Sequence, residues 1–142
     1  EDKENLVMSI KGGCYCGNVR YESEGEAFMK AECLCRECQY LTGGGPNFFM
    51  AIPAAGFKIT KGETQGFSRD DIDNPVTREF CPNCGTHLVT RTPSMPDAVI
   101  LKVGSLDDPG VYDQPQMAIF TIDQQSFHTI AEGVPSYERV PG

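Results

Sequence analysis

Histidine is scarce in this 142-residue chain: His87 and His128 are the only two, so catalysis that needs a positioned imidazole base has few candidates. No Ser-His-Asp order, phosphate-binding glycine loop or His-Glu-x-x-His helix is present. Basic residues are few as well, 12 Lys and Arg against 20 Asp and Glu, for a formal net charge of -8. That balance repels a phosphate backbone, and no local basic stripe offsets it, which argues against nucleic acid as a partner. Apolar runs are short, such as Phe48-Phe49-Met50-Ala51-Ile52, and none approaches the length that spans a membrane. The opening Glu1-Asp2-Lys3-Glu4-Asn5 is charged, and the apolar stretch behind it is too brief for a signal-peptide core. A secreted, disulfide-forming fate is therefore not expected; a cytoplasmic setting with reduced thiols is.

Turn formers, by contrast, are abundant. Fifteen glycines and ten prolines among short apolar runs favour a mainly β protein over a helical bundle. Alternating or β-branched stretches predict strands near residues 7–10, 19–23, 28–32, 48–52, 57–60, 77–80, 87–91, 99–103, 117–121 and 127–131. Gly12-Gly13, Gly43-Gly44-Gly45, Asp73-Asn74-Pro75, Asp107-Asp108-Pro109-Gly110 and Gly133 punctuate them as turns. One short helix is expected, over Arg36 to Leu41. Without repeats, low-complexity segments or a linker, the chain reads as a tail over residues 1–7 followed by a single domain over 8–142.

The chemistry lies in seven cysteines, grouped as Cys14-x-Cys16, Cys33-x-Cys35-x-x-Cys38 and Cys81-x-x-Cys84. Four thiolates saturate a tetrahedral Zn2+, whereas three leave a position open, which is how structural and catalytic zinc sites differ. Cys81-Pro82-Asn83-Cys84-Gly85 has the features of a zinc knuckle: Pro82 fixes φ, Gly85 can adopt φ > 0, and backbone N–H groups can turn toward the thiolates. Cys14-Tyr15-Cys16-Gly17 repeats the closing Cys-Gly. Two such hairpins facing each other make a four-cysteine site of Cys14, Cys16, Cys81 and Cys84, contributing on the order of 10 kcal/mol to folding. The alternatives are buried free thiols, a redox Cys-x-x-Cys, or rubredoxin-type iron.

Cys33, Cys35 and Cys38 have a different geometry. Residues i and i+2 of a strand share a face, and so do i and i+3 of a following helical turn, so a strand ending near Cys35 converges the three sulfurs while Leu34 points into the core. A helix N-terminus at Cys35 favours the thiolate forms that bind metal. The competing reading is a closed centre in which His87 or His128 supplies a fourth ligand. Each histidine also has a plainer reading: His87 bonding a backbone carbonyl or sulfur on the strand leaving the knuckle, and His128 as a sheet residue.

With these clusters in place, the chain resembles the glutathione-dependent formaldehyde-activating enzyme family, whose pattern is an early Cys-x-Cys-Gly, a central Cys-x-Cys-x-x-Cys and a later Cys-x-x-Cys-Gly. Gly43-Gly44, Gly104-Ser105-Leu106-Asp107-Asp108-Pro109, Pro115 and Gly133-Val134-Pro135-Ser136-Tyr137 also look like the family. Phe127 departs from it, where tryptophan is frequent. The resemblance implies a β-tent fold of zinc-stapled antiparallel sheets with the short helix near the catalytic cluster. It implies two zinc ions per chain, a structural one on Cys14, Cys16, Cys81 and Cys84 and a catalytic, more labile one on Cys33, Cys35 and Cys38.

It further implies a carbon-sulfur lyase or synthase that joins glutathione, or a similar thiol, and formaldehyde or a related aldehyde, as S-(hydroxymethyl)glutathione synthase does. Two other classes stay open: a non-enzymatic glutathione or aldehyde carrier, and a structural zinc module that mediates interactions. Glutathione carries two carboxylates, so its site should offer cations or backbone donors. Arg36 is the nearest cation by sequence, unless it is a solvated helix-surface charge. Gly43-Gly44-Gly45 would let a peptide-like substrate approach the backbone. Phe48 and Phe49 cannot both face the core in a regular strand, which leaves one to line a pocket.

Overall fold

The computed structural model describes residues 9–141; the tail expected over residues 1–7 lies outside them. Among the described residues, ten strands and one α-helix follow in order: β1 (Ser9–Gly13), β2 (Arg20–Glu24), β3 (Met29–Cys33), α1 (Arg36–Thr42), β4 (Asn47–Pro53), β5 (Phe57–Lys61), β6 (Gln65–Phe67), β7 (Thr77–Phe80), β8 (His87–Arg91), β9 (Ala98–Lys102) and β10 (Met117–Ile119). The protein is mainly β, with two sheets and no closed barrel. One sheet has the order β10-β3-β4-β9-β8-β7-β6 and the other β1-β2-β5. All pairs are antiparallel except β3 with β10, which run parallel in the register Met117 to Ala31 and Ile119 to Cys33. Residues 135–137 continue beyond β10, where Ala118 N–H donates to the Pro135 carbonyl and Tyr137 N–H to the Ala118 carbonyl.

The principal core lies between the two sheets: Tyr21 from the small sheet and Val19 just before β2 meet Met50, Ile52, Leu88, Val99 and Leu101 from the large one. Each is a β-branched, aromatic or long apolar residue that fits a pleated surface. A second cluster of Ala31, Cys33, Cys38, Phe49 and Ile119 packs α1 against the large sheet. The strand register puts Cys33 opposite Asn47, and Phe49 opposite Lys102. Directly opposed residues share a face, so Cys33, Asn47, Phe49 and Lys102 all lie on the side that α1 covers.

Two sequence expectations are corrected, and one strand was not anticipated. Residues 127–131 are not a strand: they fold as a turn, with His128 N–H bonded to the Gln125 carbonyl at 3.0 Å, and the His128 ring is held by backbone groups rather than by a sheet. Gly12 and Gly13 are the last residues of β1, not a turn. A Cβ at Gly12 would come within 2.3 Å of the Ser105 carbonyl oxygen and the Tyr21 hydroxyl, so close approach rather than chain reversal requires glycine there. Strand β6, three exposed residues with a central glycine, carries no alternation that a pattern search could detect.

Candidate metal centres and the adjoining cavity

The four distant cysteines come together. β1 delivers Cys14 and the turn after it Cys16; β7 ends at Phe80, immediately before Cys81. The sulfurs of Cys14, Cys16, Cys81 and Cys84 lie within 4.8 Å of one another. Cys14 and Cys16 are separated by 3.6 Å between sulfurs, and Cys16 and Cys81 by 3.8 Å. Tetrahedral Zn2+ with Zn–S bonds of about 2.3 Å holds its sulfurs about 3.8 Å apart, so the set fits the ion. Backbone N–H groups point inward as the knuckle requires: Val19 donates to Cys14 Sγ at 3.2 Å, Asn83 to Cys81 Sγ at 3.3 Å and Cys84 to Cys81 Sγ at 3.4 Å. Gly17 and Gly85 take φ of 84° and 81°, closing the two turns with conformations that side chains resist. Thr86 approaches Cys84 Sγ with its hydroxyl at 3.2 Å and, with its backbone, pulls that thiol down to about 5.

Cys33, Cys35 and Cys38 form the second group, with sulfurs again within 4.8 Å. Strand β3 ends at Cys33; Leu34 turns inward and is fully buried; Cys35 caps α1, its sulfur accepting from Cys38 N–H at 3.4 Å. Helix α1 runs one residue past the expected end and closes at Gly43 in the left-handed region. Hydrogen bonds from the Cys33 and Cys38 thiols hold Cys35 far below the ordinary thiol value, and the same contacts raise Cys33. One sulfur thus carries charge while its neighbours donate to it, a set prepared to exchange protons for a cation.

Among the described residues, no fourth side chain of His, Cys, Asp or Glu joins this group. His128 is buried, and both ring nitrogens are engaged: Gln125 N–H donates to Nδ1 at 2.9 Å, which leaves Nε2 to donate to the Gly44 carbonyl at 2.6 Å. His87 lies against Phe80, with ring centroids 5.5 Å apart, and its buried Nδ1 has no hydrogen-bond partner among the described residues, contrary to the expected bond to a carbonyl or sulfur.

Residues that the sequence did not single out support the cluster. Asn47 donates from Nδ2 to Cys38 Sγ at 3.5 Å. The buried Gln39 amide donates to the Leu34 carbonyl at 2.8 Å and the Asp123 carbonyl at 3.0 Å, tying the cysteine loop to the segment after β10. Arg36, expected as a possible substrate contact, bonds Gln39 Oε1 and lies over the Tyr40 ring at 4.9 Å, a helix-surface arrangement. Phe127 is exposed and meets the His128 ring edge-on.

Between α1 and the Cys81–Cys84 knuckle opens a cavity of about 450 Å³, whose lining includes Asn47, Phe48, Thr86, His87, Lys102 and Ser105 and none of the cysteines; Asn47, which also touches Cys38, joins it to the three-cysteine cluster. Phe49 is buried toward α1, while Phe48, on the opposite face of β4, is 40% exposed and contributes to the lining. Lys102 is 8% exposed, and its ammonium has no hydrogen-bond or ion-pair partner among the described residues. Burial pushes that ammonium down to about 8, against the holding effect of charge on Cys38, Cys33 and Cys35. A lone lysine at a strand end reads as a surface charge, so only the fold shows that it is buried beside thiolates.

The geometry defines a mainly β protein with two cysteine clusters able to hold metal ions, one of four sulfurs and one of three. The sequence profile of the family described as glutathione-dependent formaldehyde-activating enzyme matches residues 9–123, and the chain belongs to that family. Membership suggests a formaldehyde-activating enzyme that works with glutathione. A crystal structure of a Rhodobacter sphaeroides protein is similar, with a TM-score of 0.57 and 19% sequence identity over 69% of this chain and 88% of that one. At that identity the likeness is one of fold. No curated protein matches the chain significantly. Among the described residues no helix is long and apolar enough to cross a membrane.

Proposed function

We propose that the chain is a zinc-dependent carbon-sulfur lyase or synthase that joins glutathione, or a similar thiol, to formaldehyde or a related aldehyde. The observation that carries this reading is the contrast between the clusters: four sulfurs at tetrahedral spacing in one, and three with no fourth described ligand in the other. Cys14, Cys16, Cys81 and Cys84 are assigned the structural zinc, and Cys33, Cys35 and Cys38 the catalytic one, within a single domain over 8–142. The engagement of His128 with Gly44 and Gln125, and of His87 with Phe80, speaks against a closed centre of three cysteines and one histidine, and so against a purely structural module. Unpaired thiols of this kind suit a reducing, cytoplasmic setting.

Zinc held by Cys33, Cys35 and Cys38 would supply a Lewis-acid position that lowers the proton affinity of a thiol sulfur. The chain's own residues prepare that position. Asn47 and the Cys38 N–H donate to Cys38 Sγ and Cys35 Sγ respectively, which orients the donor sulfurs and moderates their charge. Gln39 fixes the backbone between Leu34 and Asp123. Phe48 gives the adjoining cavity an apolar wall. In the net reaction the thiol S–H bond breaks, a C–S bond forms to the aldehyde carbon, and the aldehyde oxygen ends with the proton, giving S-(hydroxymethyl)glutathione from glutathione and formaldehyde.

The test is the rate at which the zinc-loaded protein brings dilute glutathione and formaldehyde to their adduct equilibrium. Acceleration that disappears when the more labile zinc is chelated is the expected result. Binding of glutathione with the rate left at background would make the protein a carrier instead.

A further inference from the structure

We propose that the cavity beside the three-cysteine cluster is a carboxylate-binding subsite, in which Lys102 pairs with a carboxylate of the thiol substrate. The inference rests on the reading that Cys33, Cys35 and Cys38 mark where the substrate's sulfur goes, and it adds what holds the rest of the molecule. Register puts Lys102 opposite Phe49 and Asn47 opposite Cys33, so the lysine and the cluster share one sheet face, with Asn47 touching Cys38 on one side and lining the cavity on the other. Most of Lys102 is buried while its ammonium keeps access to the cavity, and a cation so sparingly hydrated favours an anionic partner. Lys102 has no anionic side-chain oxygen bonded to it among the described residues, yet it reaches the cavity.

The neighbouring cation cannot take this role so readily. Arg78 is held by Glu37 of α1 at 2.7 Å, which leaves Lys102 as the cation free for a ligand. His87, Thr86 and Ser105 line the cavity too, but His87 Nδ1 is fully buried, Thr86 Oγ1 is engaged with Tyr15 N–H and Cys84 Sγ, and Ser105 Oγ with Tyr21 and the Lys102 carbonyl, so the Lys102 ammonium is the donor a ligand would use. A cavity of about 450 Å³ lies in the range of small-molecule sites and exceeds what a lone carboxylate needs, so it suits an acidic peptide-like thiol. On a chain of formal net charge -8, an anion would find few such places. The subsite therefore confers selectivity: it favours thiols carrying a carboxylate a few bonds from the sulfur over neutral thiols of similar size.

Calorimetry on the zinc-loaded protein tests this with three probes: glutathione, its diethyl ester, and S-methylglutathione, which keeps the carboxylates but has no free thiol. With the wild-type protein, glutathione should bind at least tenfold more tightly than the ester. Lys102→Met should erase that preference by weakening glutathione and S-methylglutathione alike, while Lys102→Arg keeps most of it. The cobalt-thiolate absorption of each variant reports whether the cysteine cluster still binds metal. Equal affinity for glutathione and ester in the wild type, equal losses for both in Lys102→Met, or no binding of either acid overturns the subsite. Lys102-dependent binding of S-methylglutathione without any rate acceleration keeps the subsite and removes the enzyme reading. Acceleration that is indifferent to Lys102→Met does the reverse.

Discussion

Asn47 donates its side-chain amide to Cys38 Sγ at 3.5 Å while sitting directly across the β3–β4 ladder from Cys33. One residue thus ties the helical ligand to the strand that carries the first ligand. Partners of this kind orient metal-binding sulfurs, and their loss typically costs roughly 10–100-fold in metal affinity. Asn47→Ala should weaken cobalt or zinc at the three-cysteine cluster by that order and leave the four-cysteine cluster loaded. Competition with a chelator, followed through thiolate-to-cobalt absorption, measures it; unchanged affinity would show the contact to be incidental.

The two clusters should respond differently to loss of a ligand. Cys81 anchors a knuckle between β7 and β8, and its partners Cys14 and Cys16 come from the other end of the chain, so Cys81→Ala removes a staple between the two sheets. Structural zinc contributes on the order of 10 kcal/mol to folding in small domains, more than the whole net stability of many proteins, and the variant should not accumulate as folded protein. Cys35→Ala should fold, bind one zinc fewer and lack activity. Thermal melts with metal analysis separate the two; equal loss of folding would make both centres structural.

Much of this was legible in the sequence because cysteine spacing is a local signal. Cys-x-Cys at the end of a strand and Cys-x-x-Cys across a helix start or knuckle constrain where sulfurs can point before any tertiary contact is known, and the helix expected over Arg36–Leu41 was visible from the same cluster, one residue short of its observed end at Thr42. The strands that were found have β-branched or aromatic runs. The turn at 127–131 was mistaken for one because Phe127, His128 and Ile130 mimic alternation, while the His128 ring bonds to Gly44, 84 residues away, a contact no local pattern encodes. Lys102 and Asn47 went unnoticed for a related reason. Their significance comes from register across three strands, and register depends on the whole sheet.

Metal release should proceed in two stages. In the knuckle pair, backbone N–H groups hold one sulfur on each hairpin, Cys14 and Cys81, so freeing that ion means opening the junction of the sheets. The three-sulfur cluster rests on the end of β3 and one short helix, all within ten residues of chain and on one sheet. Titration with a mild chelator should therefore remove one equivalent of zinc with little change in far-ultraviolet circular dichroism, and the second only as the β signal collapses. Simultaneous loss of both ions with the fold would contradict the division. The three freed thiols should then become the sites of oxidation.

His87 offers a pH test of the cavity's electrostatic character. Burial lowers its proton affinity, and Lys102 and Arg78 lower it further. In the unfolded chain the imidazole takes a proton near its ordinary pKa of about 6.5; in the fold it does so only at lower pH. Between those two values the unfolded state binds more protons, so acidification favours unfolding, and stability falls as pH drops through the window below about 6.5. His87→Leu removes that contribution and keeps an apolar side chain against Phe80. Denaturant unfolding of the zinc-saturated proteins at several pH values between 7.5 and 5 should show the wild type losing its advantage over the variant as pH falls. Proton competition for the cysteine ligands acts on both proteins and cancels in the difference. Parallel curves would mean that His87 titrates in the fold as it does in water, so that neither its burial nor the charge of Lys102 reaches it.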